Sequence, residues 1–156
     1  MNKIIVGVDG SDGGRRALRW AIREAADTGV SVEAVTAWHW AGVQDMTVPV
    51  TGPDEQRTLA ERGQSRDIAA IRAELDDAVP VTRVLVRGVP AEVLADAARG
   101  ARLLVLGSHG HGRLHHAVLG SVAEECVRLA ACPVVIVPVP HAKPFATSGE
   151  AIATTG

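Results

Sequence analysis

The chain has 156 residues, 47% of them hydrophobic and 22% charged, with a formal net charge of −2. That is the length and composition of one globular domain, and it argues against disorder. The near-neutral balance and the 3% aromatic content argue against a surface built for nucleic acid, whether by charge or by base stacking.

Lys3-Ile4-Ile5-Val6-Gly7-Val8 is apolar on both faces, the pattern of a buried parallel strand, and Asp9-Gly10-Ser11-Asp12 ends it. Ser11 or Asp12 is expected to cap the next helix, whose inner stripe is Ala17, Leu18, Ala21, Ile22 and Ala25 and whose stop is Gly29. Arg15, Arg16, Arg19 and Arg23 fall on the other side and read as a solvated face. Residues 30–38 form a second strand. The stretch 39–53 carries Gly42, Pro49, Gly52 and Pro53 without a period and reads as a loop. Asp54 opens a long helix with Ile68, Ile71, Leu75 and Ala78 on one stripe, stopped by Pro80. Residues 81–87 form a third strand. Pro90 starts a short helix that Gly100 closes. Residues 102–106 form a fourth strand. Ser121 is expected to cap a last helix with Val122, Ala123, Cys126, Val127 and Ala130 facing inward, and 133–137 is a fifth strand.

Strands alternating with helices predict an α/β fold: an open, doubly wound five-stranded parallel sheet of order 3-2-1-4-5 with helices on both faces. Residues 1–140 are expected to form this single domain and 141–156 a flexible tail. No apolar run approaches the ~18 residues of a membrane helix. Met1-Asn2-Lys3-Ile4 enters the first strand without a cleavage-site pattern, and two cysteines, Cys126 and Cys132, make no disulfide framework. The expected setting is reducing and cytoplasmic.

In the expected order, the first and fourth strands flank the point where strand order reverses, and ligands of such sheets bind there. Both strands end in glycine-bearing loops, Gly7 to Gly14 and Gly107 to Gly120. The second contains Gly107-Ser108-His109-Gly110-His111-Gly112-Arg113 and leads through Gly120 to Ser121, Val122 and Ala123 at a helix start. Glycine permits close approach of backbone N–H groups, and a helix N-terminus adds aligned donors and a positive dipole end, which together suit a phosphate. A turn-rich connection without a ligand uses the same residue types, and both readings stay open on glycine content alone. The lysine of a Walker loop is missing, the spacing of a dinucleotide fingerprint is wrong, and a nucleophile elbow lacks its first glycine.

The spacing G-x2-G-x9-G-S at Gly107, Gly110, Gly120 and Ser121 resembles the ATP-binding motif of the universal stress protein family. The opening Val6-Gly7-Val8-Asp9-Gly10-Ser11 and the close Ala131-Cys132-Pro133-Val134-Val135-Ile136-Val137-Pro138 are similar too, so the likeness runs from Lys3 to Pro138. The resemblance implies an adenine-nucleotide α-hydrolase-like sheet and an ATP site. In that site Gly7 and Val8 line base and ribose, Asp9 lies near the ribose, and the Ala37 backbone meets adenine. Residues Gly107, Ser108, His109, Gly110, His111, Gly112 and Arg113 surround ribose and phosphates, and Gly120, Ser121 and Val122 hold the phosphates. Magnesium would accompany ATP near Asp9 or Ser121.

Four of the six histidines, His109, His111, His115 and His116, crowd this loop. No cysteine or carboxylate lies nearby in sequence to complete a transition-metal shell, so phosphate-facing or solvated histidines are the preferred reading. Trp38 and Trp40 are expected to pack the 39–53 loop rather than to contact a base. No general base or acceptor pocket can be named, which favours an ATP-dependent stress-response regulator with an unidentified protein partner over a slow ATPase or nucleotide hydrolase of the same fold. The apolar fifth strand would be an unprotected sheet edge, and pairing with a second copy would make a homodimer, as the resemblance also suggests.

Overall fold

The computed structural model describes residues 2–39, 52–75, 79–111 and 119–140. The elements run β1 (Lys3–Gly7), α1 (Asp12–Thr28), β2 (Ser31–Trp38), α2 (Pro53–Leu75), β3 (Val81–Arg87), α3 (Pro90–Ala97), β4 (Leu103–Gly107), α4 (Ser121–Leu129) and β5 (Val134–Val137). The strands form one parallel sheet in the order β3-β2-β1-β4-β5, as expected. The boundaries differ from the sequence reading by a residue at several ends, the usual uncertainty of element termini.

The sheet has one core on each face. Alternation along β1 splits its apolar run: Ile4, Val6 and Val8 join α1 and α2 with Ala34 of β2, while Ile5 joins α3 and α4 with Leu104 and Leu106 of β4. Ile4, Ile5 and Val6 are all fully buried, as a strand covered on both faces requires. Gly29 ends α1 in the left-handed region at φ +69°, its N–H on the Ala25 carbonyl oxygen.

Of the α1 arginines expected on a solvated face, Arg23 is exposed but Arg15 and Arg19 are drawn toward α2. Arg19 makes a two-pronged pair with Glu74 of α2, at 2.6 and 2.9 Å, and Arg15 Nη1 stands 3.4 Å from the buried Asp67 of α2. The sequence placed these side chains away from the α1 core stripe. It did not show that α2 lies along that side, where its carboxylates draw them in.

In α4 only Ala123 and Cys126 are buried. Val122 and Val127, expected to face inward, are 37% and 52% exposed. A nine-residue helix whose buried contacts come from two positions has too narrow an inner face for five.

Candidate functional site

Gly7 and Gly107 end the adjacent strands β1 and β4, where strand order reverses. Here the chain packs backbone on backbone. A Cβ on Gly107 would stand 2.6 Å from the carbonyl carbon of Gly13, and a Cβ on Gly13 would stand 2.2 Å from the carbonyl oxygen of His109. The loop after β4 is thereby seated on the first turn of α1. Its far end is fixed as tightly, because Gly120 N donates to the Ser108 carbonyl oxygen at 2.6 Å, while Ser108 N donates to Val137 at 3.0 Å.

Ser11 is the N-cap of α1, and its hydroxyl accepts from Gly14 N at 3.1 Å. That hydroxyl also donates to Asp9 Oδ1, which accepts from the Ser11 backbone N–H at 3.0 Å as well. Asp9 is therefore oriented by the helix start, with Oδ2 only 2.8 Å from where a Cβ on Gly110 would be. His111 Nε2 donates to the Asp9 carbonyl oxygen, tying the β4 loop to the β1 loop next to Gly10, which lies at φ +80°. His109 Nδ1 lies 3.0 Å from the Ser108 hydroxyl.

Gly120, not Ser121, is the N-cap of α4, and no side chain caps that end. Glu124 N is the first to bond back, to Gly120 at 3.0 Å, so the N–H groups of Ser121, Val122 and Ala123 have no acceptor within the helix. A side-chain cap would have consumed one of them. All three residues line the same cleft.

That cleft measures about 980 Å³. It brings together Gly7, Val8, Asp9, Ala37, Gly107, Ser108, His109, Gly110, His111, Gly120, Ser121 and Val122, every described residue the sequence nominated. Gly112 and Arg113 lie outside the described residues, as do Trp40, His115, His116 and the 141–156 segment. Among the described residues no three of His, Cys, Asp and Glu gather closely enough to hold a metal ion. Cys126 is a core residue whose thiol burial, aided by Glu125, pushes up to about 11.

The sequence reading missed one wall. Trp38, expected to pack a loop, lines the cleft, and so do Gln56, Ala60, Gly63 and Gln64 of α2. The signal was present: the stripe of Ile68 and Ile71 continues toward the helix start, but through small and amide side chains.

The universal stress protein family model matches residues 1–138. A universal stress protein of Mycobacterium tuberculosis is 35% identical over 133 residues, which is 85% of this chain and 44% of that protein. The chain thus spans less than half the length of the curated relatives it matches. Among solved structures, a universal stress protein from Archaeoglobus fulgidus in complex with dAMP superposes with a TM-score of 0.61 at 26% identity, covering 87% of this chain and 97% of that one. Another universal stress protein, in complex with cAMP, gives 0.62 at 26% identity, covering 87% and 96%. No helix among the described residues is long and apolar enough to cross a membrane.

Proposed function

The chain belongs to the universal stress protein family, and from that premise we infer that it binds an adenine nucleotide in the cleft, ATP in its working state, as a regulator whose occupancy alters contacts with a protein partner. The observation that carries this reading is the pairing of three N–H groups at the start of α4, which have no acceptor within the helix, with an oriented carboxylate, Asp9, across one cavity. Aligned backbone donors at a helix N-terminus favour phosphate, and the cavity is large enough for a nucleotide. The complexes of relatives with dAMP and cAMP support the ligand class.

In this reading the phosphates lie between the Gly107–His111 loop and Ser121, Val122 and Ala123. Gly112 and Arg113 continue that loop. The ribose lies beside Asp9, with the base against Gly7, Val8 and the Ala37 backbone. Magnesium accompanies the triphosphate near Asp9 or Ser121. Residues 1–140 act as one domain. The setting is cytoplasmic, and the protein is a homodimer through β5, whose residues are all only partly buried at the sheet edge.

The test is to release and identify whatever nucleotide co-purifies, and to titrate ATP into wild type and Gly110→Val. The larger side chain drives into Asp9 Oδ2, and the expected loss is at least tenfold, about 1.4 kcal/mol. Equal affinity in the two proteins, or no nucleotide bound by wild type, sinks the assignment.

A further inference from the structure

One peptide plane stands between Asp9 and the rest of the fold. The Gly10–Ser11 peptide offers its N–H to Asp9 Oδ1 at 3.0 Å, and its carbonyl oxygen accepts from Arg15 Nη1 at 2.9 Å. A peptide is rigid and planar, so its two ends turn together. Gly10 lies at φ +80°. Glycine takes either sign of φ with similar ease, so the backbone itself offers little resistance to a flip of that plane. A flip would carry the Ser11 N–H away from Asp9 and leave that carboxylate to the Ser11 hydroxyl. The bond from Arg15 opposes the flip.

The Arg15 guanidinium is itself anchored. Besides the Gly10 carbonyl it meets the Asp12 carboxylate on its own helix and, at 3.4 Å, Oδ1 of Asp67 on α2. Asp12 is 80% exposed, and solvent screens that pair. Asp67 is 2% exposed. A buried carboxylate requires a cationic partner. Arg66 Nε is 3.5 Å from the same oxygen, but its side chain is 70% exposed, so Arg15 is the more enclosed of the two cations. Nη1 carries two hydrogens, one for the Gly10 carbonyl and one for Asp67. The buried charge on α2 thus holds the group that holds the peptide.

We propose that Arg15 is a positioning residue for the ribose side of the site, anchored by Asp67 and acting on Asp9 through the Gly10–Ser11 peptide. The proposal rests on the nucleotide reading above, in which the ribose lies beside Asp9. Gly10 and Ser11 line the cleft, whereas neither Arg15 nor Asp67 does. The phosphate seat belongs to other elements, the loop after β4 and the start of α4. Loss of Arg15 therefore separates the two halves of the site: the grip on the ribose hydroxyls weakens and the grip on the phosphates stays.

The experiment titrates ATP, 2′,3′-dideoxy-ATP and inorganic triphosphate into wild type, Arg15→Met, Asp67→Asn and the double variant by calorimetry. Wild type is expected to prefer ATP over the dideoxy nucleotide by about tenfold, the worth of hydrogen bonds to a charged acceptor. In Arg15→Met that preference is expected to fall to about twofold through weaker ATP binding, with triphosphate within about twofold of wild type, because only the oriented carboxylate is lost. Asp67→Asn keeps the shape of its side chain and reads the same ratio, so the test stands even where Arg15→Met folds poorly. It is expected to lower the preference too, and the double variant to match Arg15→Met, because both changes break one linkage. An undiminished preference in the folded variants, or parallel losses for all three ligands, overturns the positioning role. Losses that add in the double variant overturn Asp67 as the anchor. A wild type that binds triphosphate but does not distinguish the two nucleotides overturns the proposal and leaves the phosphate seat standing. A wild type that binds neither ATP nor triphosphate overturns the nucleotide reading itself.

Discussion

The cleft has two walls that contain glycine for opposite reasons. On the wall formed by the first turn of α1 and the loop after β4, glycine is there because nothing else fits: Gly13 and Gly107 touch through their backbones. On the α2 wall a Cβ on Gly63 would meet nothing within 4 Å among the described residues. The first wall is rigid because two main chains meet with no side chain to yield. The second is a helix held partly by ion pairs, with Ala60 and Gly63 among the residues that line the cleft. The difference separates a surface that positions by steric exclusion from one that leaves room for what enters.

The strongest test of that contrast is Gly107→Ala. The added methyl would lie 2.6 to 2.8 Å from three backbone atoms of Gly13, none of which is the end of a flexible side chain. Overpacking of this kind costs about 3 kcal/mol at its upper end, a fall in melting temperature of roughly 6–12 °C for a chain of this size. Urea denaturation showing a loss below about 1 kcal/mol would mean that the wall yields, and the contrast would be lost.

The same substitution on the other wall has the opposite sign. Gly63→Ala adds a methyl that meets none of the described residues and exchanges the poorest ordinary helix former for the best, so it is expected to stabilise by about 0.5–1 kcal/mol. A destabilised Gly63→Ala would show that the space is not available to a side chain, and the comparison would fail.

The first wall was legible in the sequence and the second was not, and the reason is physical. Gly107, Gly110 and Gly120 form a pattern of close approach within one short segment, and the strand runs beside them are buried on both faces, so alternation and spacing reach both sheet and site. Gly63 has meaning only through what stands across from it, and that depends on a strand twenty-five residues earlier in the chain (Trp38 to Gly63). In isolation it reads as a weak residue in a helix. Val122 and Val127 fail in the reverse direction: their spacing fits an inward stripe, but how much of a helix is covered depends on its neighbours. His111 was read as facing phosphate or solvent, and its contact with the Asp9 carbonyl could not be foreseen, because it joins two loops a hundred residues apart.

The smallest expected effect concerns how the α2 wall is held. Hydrogen bonds from Arg19 and its charge keep the Glu74 carboxyl below its ordinary value of 4.5, and Arg15 lowers Asp12 in the same way. A carboxylate whose folded value is depressed contributes stability at neutral pH, and that contribution is lost as pH falls through the carboxylate range. Both carboxylates are exposed, so solvent screens the pairs and the contribution is small. Glu74→Gln is therefore expected to melt slightly below wild type at pH 7, with the gap narrowing in 1 M salt and closing by pH 3. Gly107→Ala is expected to keep its deficit under both conditions, because steric overlap neither titrates nor screens. If the Glu74→Gln gap persists undiminished at pH 3, the pair does not act through charge, and the two walls differ in shape but not in the kind of force that holds them.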